Sequence, residues 1–120
     1  MYIRRTADCE PITANDGCAV RELLHPKEAA VGLPYSLAEA RVAPGARSYR
    51  HKLASAEVYY ILEGCGVMHV DAEARPCMRG DVVHVPAEAV QWIENPGIHP
   101  LRFLCIVSPP WRAEDDTRLE

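Results

Sequence analysis

Gly45-Ala-Arg-Ser-Tyr-Arg-His51-Lys-Leu53-Ala-Ser-Ala-Glu57-Val-Tyr-Tyr-Ile-Leu-Glu-Gly64 is the stretch on which the reading of this chain turns. Its second half alternates. Glu57, Tyr59 and Ile61 fall on one face of an extended strand, and Val58, Tyr60 and Leu62 on the other, because successive strand side chains point to opposite sides. His51 and Leu53 share a face if their segment is extended too. If Glu57 points inward, Tyr59 and Ile61 line the same interior. An inert core would be apolar there, since each unpaired buried polar group costs roughly 1–3 kcal/mol.

Outward from this stretch, ten prolines and seven glycines separate short apolar runs, and no long segment has helical period. The pattern predicts an all-β domain. Strands are expected at Ala19–Leu24, Tyr35–Ala43, Glu57–Glu63, Gly66–Val70, Asp81–Val85, Val90–Glu94 and Leu101–Val107. Turns are expected at Pro44-Gly45, Gly64-Cys65-Gly66, Arg79-Gly80-Asp81 and Asn95-Pro96-Gly97, where Gly or Asn accepts positive φ and Pro presets a negative φ. One short connecting helix could start near Pro26 and run to Ala30. The N-terminal stretch to Leu24 reads as edge strands or as a segment that pairs with another subunit. Ser108-Pro109-Pro110 ends the last strand, since proline cannot donate to a ladder, and Trp111 should pack back on the barrel. The charged tail 112–120 reads as frayed.

Composition narrows the classes. A chain of 120 residues, 48% apolar, makes one domain over residues 1–120 with a core of about 18–108. The charge of -4, with scattered Lys and Arg, leaves no basic stripe for a nucleic-acid backbone. No apolar run approaches the roughly 20 residues a membrane-spanning helix needs. The first residues, Met1 to Thr6, contain no apolar stretch of the kind a signal peptide carries. The cysteines, Cys9, Cys18, Cys65, Cys77 and Cys105, are odd in number and unpaired in spacing. They read as reduced thiols in a cytoplasmic protein, most of them small buried hydrophobes.

A second stretch, Gly80-Asp-Val-Val-His-Val-Pro86-Ala-Glu-Ala-Val-Gln91-Trp-Ile-Glu-Asn95, completes the pattern. Together the two stretches resemble the paired motifs of the cupin superfamily, G-x5-H-x-H-x3-E-x6-G and G-x5-P-x-G-x2-H-x3-N. The resemblance implies a jelly-roll barrel of two packed sheets, a way of closing sheet edges. It also implies a metal held by three His and one Glu. Here the spacing is kept and the ligand set is not: His51 and Glu57 stand at ligand positions, Leu53 replaces the second His and Gln91 the third. Glu88 stands where the second motif has Gly, which an exposed turn would tolerate.

On that resemblance, His51, Glu57 and Gln91 would hold a divalent metal ion (Zn, Fe, Mn or Ni), a donor set suited to such ions. Tyr59, on Glu57's face, would bind substrate. Leu53 leaves positions open for water or substrate, as catalytic metal sites do. The ligand would be a small oxygen-rich molecule, a carboxylic acid or sugar derivative. Fold alone does not say whether the protein is an enzyme. The alternative is a non-catalytic ligand-binding barrel with an empty or degenerate site. His25, His69 and His84 are reserve ligands if any points inward, and His99 reads as a loop residue. Arg41 and Arg47 could meet an anion, or be solvated. Gly45, Gly64, Gly80 and Asn95 read as turn residues.

The apolar alternate face, Val58, Tyr60 and Leu62, predicts a homodimer in which sheets of two subunits cover one another. Light scattering at micromolar concentration should give about twice the chain mass of 13.3 kDa. A monomer alone would contradict it.

Overall fold

The computed structural model describes residues 1–28 and 31–120. Eleven strands follow in chain order: β1 (Ile12–Thr13), β2 (Ala19–Leu24), β3 (Ser36–Val42), β4 (His51–Leu53), β5 (Ala56–Glu63), β6 (Cys65–Val70), β7 (Glu73–Met78), β8 (Val82–Val85), β9 (Gln91–Glu94), β10 (Leu101–Ser108) and β11 (Asp116–Arg118). They form a six-stranded sheet, β1-β2-β3-β10-β5-β8, and a five-stranded sheet, β11-β4-β9-β6-β7, antiparallel throughout. The fold is the expected jelly-roll barrel.

Strand β10 organises the larger sheet because it lies between β3 and β5. Its register sets Cys105 between Ala38 and Tyr59, and Val107 between Ser36 and Glu57. Leu101, Phe103 and Val107 are buried on the inner face, with Tyr59 and Ile61 beside them; Met68 and Ile93 meet them from the facing sheet. The Tyr59 and Phe103 rings stack at 5.1 Å. Burial at 20–33 cal/mol per Å2 of apolar surface drives this closure. The outer face of β5 alternates as expected, with Tyr60 exposed and Val58 and Leu62 half-buried.

Two turns are tied closely to this core. At Gly64, φ is +85° and an added Cβ would lie 2.5 Å from the Pro100 carbonyl oxygen, so only glycine fits. Asn95 is buried, and its Nδ2 donates to the Val42 and His99 carbonyls at 3.0 and 2.8 Å.

The seven expected strands form with boundaries within a residue or two. Strand β7 was not expected because Pro76 interrupts it. It survives as the outermost strand of its sheet, where a missing donor is tolerated. Pro26–Glu28 form a turn closed by Glu28 N–H donating to His25 O at 3.1 Å. The rest of the expected helix, Ala29 and Ala30, lies outside the described residues.

The tail is a correction. Residues 112–120 are not frayed: Ala113–Asp115 form a 3-10 turn, and β11 pairs with β4, Asp116 opposite Leu53 and Arg118 opposite His51. The tail's charges have partners far away in sequence. Glu120 bonds Arg47 at 2.6 Å, and the Arg118 guanidinium lies 3.6 Å from the Tyr49 ring centroid. Exposed ion pairs contribute little each, so the strand pairing does most of the anchoring.

Glu88 occupies the motif's glycine position with φ at +69°, in the left-handed region. Glu88→Gly should therefore raise stability in urea unfolding by about 1 kcal/mol. An unchanged or lowered stability would show that the strain is offset by the Glu88 side chain, which pairs loosely with Lys52 at 3.6 Å.

Candidate metal centre

His51 comes into the barrel on β4 and is 3% exposed. Its Nδ1 lies 2.8 Å from the Tyr49 carbonyl oxygen. A carbonyl only accepts, so Nδ1 carries a hydrogen and Nε2 is the ring nitrogen left to meet a ligand. A ligating histidine is usually held this way, with its other ring N–H donated to a carbonyl that fixes the ring's orientation. His51 and Glu57 line one cavity of about 120 Å3 between the sheets. Glu57 arrives on β5 and is 6% exposed, and its Oε1 has no hydrogen-bond partner among the described residues. Burial pushes its carboxyl up to about 8, and the nearby Asp16 charge adds to the rise, against the lowering pull of the Cys105 thiol and the Gln91 amide.

Gln91 is buried and stands opposite His51 in the β4–β9 pairing. Its Oε1 accepts the Tyr59 hydroxyl at 2.5 Å. Burial, and then the Glu57 charge, push that hydroxyl well above the ordinary tyrosine range, so it stays a donor. Leu53 forms part of the cavity wall, whereas Tyr59 and Gln91, bonded to each other, are not among its lining residues.

Three further groups complete the cavity: Asp16 from the β1–β2 loop, Asp116 from β11, and Cys105 from β10. Asp16 Oδ2 stands 3.8 Å from His51 Nε2. Asp116 is engaged on both oxygens, by Asn15 Nδ2 and Trp111 Nε1, each at 3.0 Å. With Glu22 and Glu57 the lining is acidic, and it contains no Lys or Arg. Sequence reading missed these groups. Asp16-Gly17 carries an ordinary turn signal, Asp116 lies in the charged tail, and neither has motif spacing. Burial, the Glu57 charge and then Asp16 hold the Cys105 thiol well above its usual range, so it is not a nucleophilic thiolate.

The reserve histidines lie elsewhere. His25 is buried with both nitrogens used: Nδ1 accepts from Lys27 N–H at 3.1 Å and Nε2 meets the Trp111 carbonyl at 2.7 Å. His69 stacks on Trp92 at 4.2 Å. His84 and His99 are exposed. Arg41 pairs with Glu39 at 3.0 Å and Arg47 with Glu120. Among the described residues, no three His, Cys, Asp or Glu side chains form a ready-made metal cage. A larger groove of about 730 Å3 opens between β7 and β8, but it contains no motif residue at a ligand position. The site is therefore assigned to the smaller cavity, where His51 and Glu57 meet.

Comparison with known proteins identifies the family. A family model for the cupin domain matches residues 38–107, more than half of the chain. The chain belongs to the cupin family. An uncharacterized protein of Methanocaldococcus jannaschii is 43% identical over 112 residues, covering 92% of this cupin and 89% of its own length. Among solved structures, a predicted oxalate decarboxylase from Thermotoga maritima superposes with a TM-score of 0.78 at 27% identity, covering 90% of this chain and 99% of its own. The Bacillus subtilis oxalate decarboxylase superposes with a TM-score of 0.81 at 30% identity, over 96% of this chain and 31% of that enzyme.

The buried Glu57 carboxyl fixes a pH dependence. Its ordinary value of 4.5 is raised to about 8 in the fold. Below 4.5 both folded and unfolded chains hold the proton; between 4.5 and 8 only the folded chain does. Stability of chelator-treated protein should therefore fall as pH rises through that window and then level off. Urea unfolding at pH 5 and pH 8.5 should show this fall reduced by a few kcal/mol in Glu57→Gln. Equal falls in both proteins would contradict the assignment.

Proposed function

We propose that this cupin holds a divalent metal ion (Zn, Fe, Mn or Ni) in the cavity between its sheets and binds a small oxygen-rich molecule against it. The observation that carries the reading is that His51, with Nε2 not used by the Tyr49 carbonyl, and Glu57, with Oε1 unpartnered among the described residues, line one cavity that has no Lys or Arg. Two such buried donors on an acidic cavity suit a bound cation. His51 and Glu57 would hold the ion, with Gln91 as a weaker amide donor; an amide oxygen that accepts one hydrogen bond keeps a second electron pair. Such an ion would act as a Lewis acid on a bound oxygen.

The chain's own groups set the rest. Tyr49 O fixes the His51 tautomer, Tyr59 orients the Gln91 amide through its hydroxyl, and Leu53 supplies an apolar wall that limits ligand size. The acidic lining would repel a free carboxylate, so an anion would enter only against a bound cation. A small carboxylic acid or sugar derivative fits that requirement, and the oxalate decarboxylases among the similar structures act on such an acid. Leu53 and the engaged Gln91 oxygen also favour a second reading, a ligand-binding barrel without turnover. Two copies of the chain would pair through the outer face of β5.

Metal titration of chelator-treated protein tests the reading. Wild type should bind at least one of Mn, Fe, Zn and Ni stoichiometrically. His51→Ala should weaken binding by about 100-fold or more and Gln91→Ala by about 10-fold or less, while Gln91→His should tighten it. If wild type and His51→Ala bind every ion equally poorly, the metal reading fails. Metal uptake without turnover of small carboxylic acids would favour the binding barrel.

A further inference from the structure

We propose that Asp16, outside both motifs, is the carboxylate ligand that replaces the histidines missing at Leu53 and Gln91. This rests on the metal reading above and adds a residue that the motif pattern does not contain. The geometry of one atom pair carries it. Asp16 Oδ2 and His51 Nε2 stand 3.8 Å apart. That is beyond hydrogen-bond length. It suits two atoms sharing a cation, because bonds of about 2.0–2.2 Å at tetrahedral or wider angles separate their ligand atoms by about 3.4–4 Å. Nδ1 is taken up by the Tyr49 carbonyl, so Nε2 is the ring atom left to face the Asp16 carboxylate.

The loop is built to hold that oxygen in place. Asp16 Oδ1 accepts Cys18 N–H at 3.0 Å, which leaves Oδ2 free. The turn is closed by Gly17 N–H donating to Ala14 O and Ala14 N–H donating to Cys18 O, both at 2.9 Å. Gly17 has φ +87°, and an added Cβ would lie 2.8 Å from the Tyr49 ring, so the loop sits directly on Tyr49. Tyr49 N–H also donates to the Asp16 carbonyl at 2.7 Å, while Tyr49 O takes the His51 Nδ1–H at 2.8 Å. One residue's backbone thus positions both members of the pair.

The other acids are less suited. Both Asp116 oxygens are engaged, by Asn15 and Trp111, and Glu22 faces Lys27 at 3.8 Å. Glu57 is the independent sign that the cavity takes a ligand: it is 6% exposed, lines the same cavity and leaves Oε1 unpartnered. His51 and Asp16 form the prepared half of the site, and Glu57, which lines the same cavity, would complete it by closing on the ion.

Titration of the full chain with Mn, Zn and Ni is the test, using wild type, Asp16→Asn, Asp116→Asn and His51→Ala. Asn keeps the oxygen that accepts Cys18 N–H, so the turn is retained. Asp16→Asn should weaken binding by about 30-fold or more, and Asp116→Asn by only a few-fold. A wild-type crystal soaked in the tightest-binding ion should place Asp16 Oδ2 within about 2.0–2.3 Å of it, a result that does not depend on how any variant folds. If Asp16→Asn binds like wild type while His51→Ala does not, or if the soaked ion lies away from Asp16, the proposal is wrong and the metal reading stands. If wild type binds no ion, both fall.

Discussion

Glu57 is carried into the core on a strand that cannot turn it out. A one-residue slip of β5 would exchange its faces, putting Tyr59 and Ile61 into solvent and Val58, Tyr60 and Leu62 into the barrel. The registers with β10 and β8 hold it in place: Glu57 opposite Val107 and Val85, Tyr59 opposite Cys105 and Val83. The carboxyl is therefore buried as a consequence of packing that stabilises the whole sheet. One of its oxygens has no partner among the described residues. The cost of such a group is of order 1–3 kcal/mol, and a bound cation would offset it.

The cavity around that carboxyl is finished by segments from both ends of the described chain. The β1–β2 loop brings Asp16, β11 brings Asp116, and Asn15 bonds Asp116 across the gap at 3.0 Å. Both segments are secured through the strand that carries His51: β11 pairs with β4, and Tyr49, two residues before His51, binds the Asp16 carbonyl. The motif residues supply the floor of the site. Besides Glu57, its acidic residues, Asp16, Glu22 and Asp116, come from outside the motifs, and they restrict which small molecules could enter without a metal ion.

The barrel was legible because alternation is local. Val58, Tyr60 and Leu62 against Glu57, Tyr59 and Ile61 state a half-buried strand without reference to the rest of the chain. Strand β7 was illegible because Pro76 argues against a strand unless its edge position is known. The tail was misread because its charges find partners, Arg47 and Tyr49, more than sixty residues away in sequence. In the site, His51 and Glu57 were visible through spacing, whereas Asp16 was hidden inside an ordinary Asp-Gly turn. The engagement of the Gln91 oxygen by Tyr59 could not be read either, because it depends on how β5 and β9, in different sheets, face each other.

The central claim is that the cavity at His51 and Glu57 is a cation site. Thermal unfolding of chelator-treated protein at increasing concentrations of a divalent ion measures it most directly, since a ligand of the folded state alone stabilises it by RT ln(1 + [L]/Kd). The account predicts that Tm climbs steadily with ion concentration in wild type and stays flat in His51→Ala. A flat Tm in wild type for Mn, Fe, Zn and Ni alike, or an equal climb in both proteins, would contradict it.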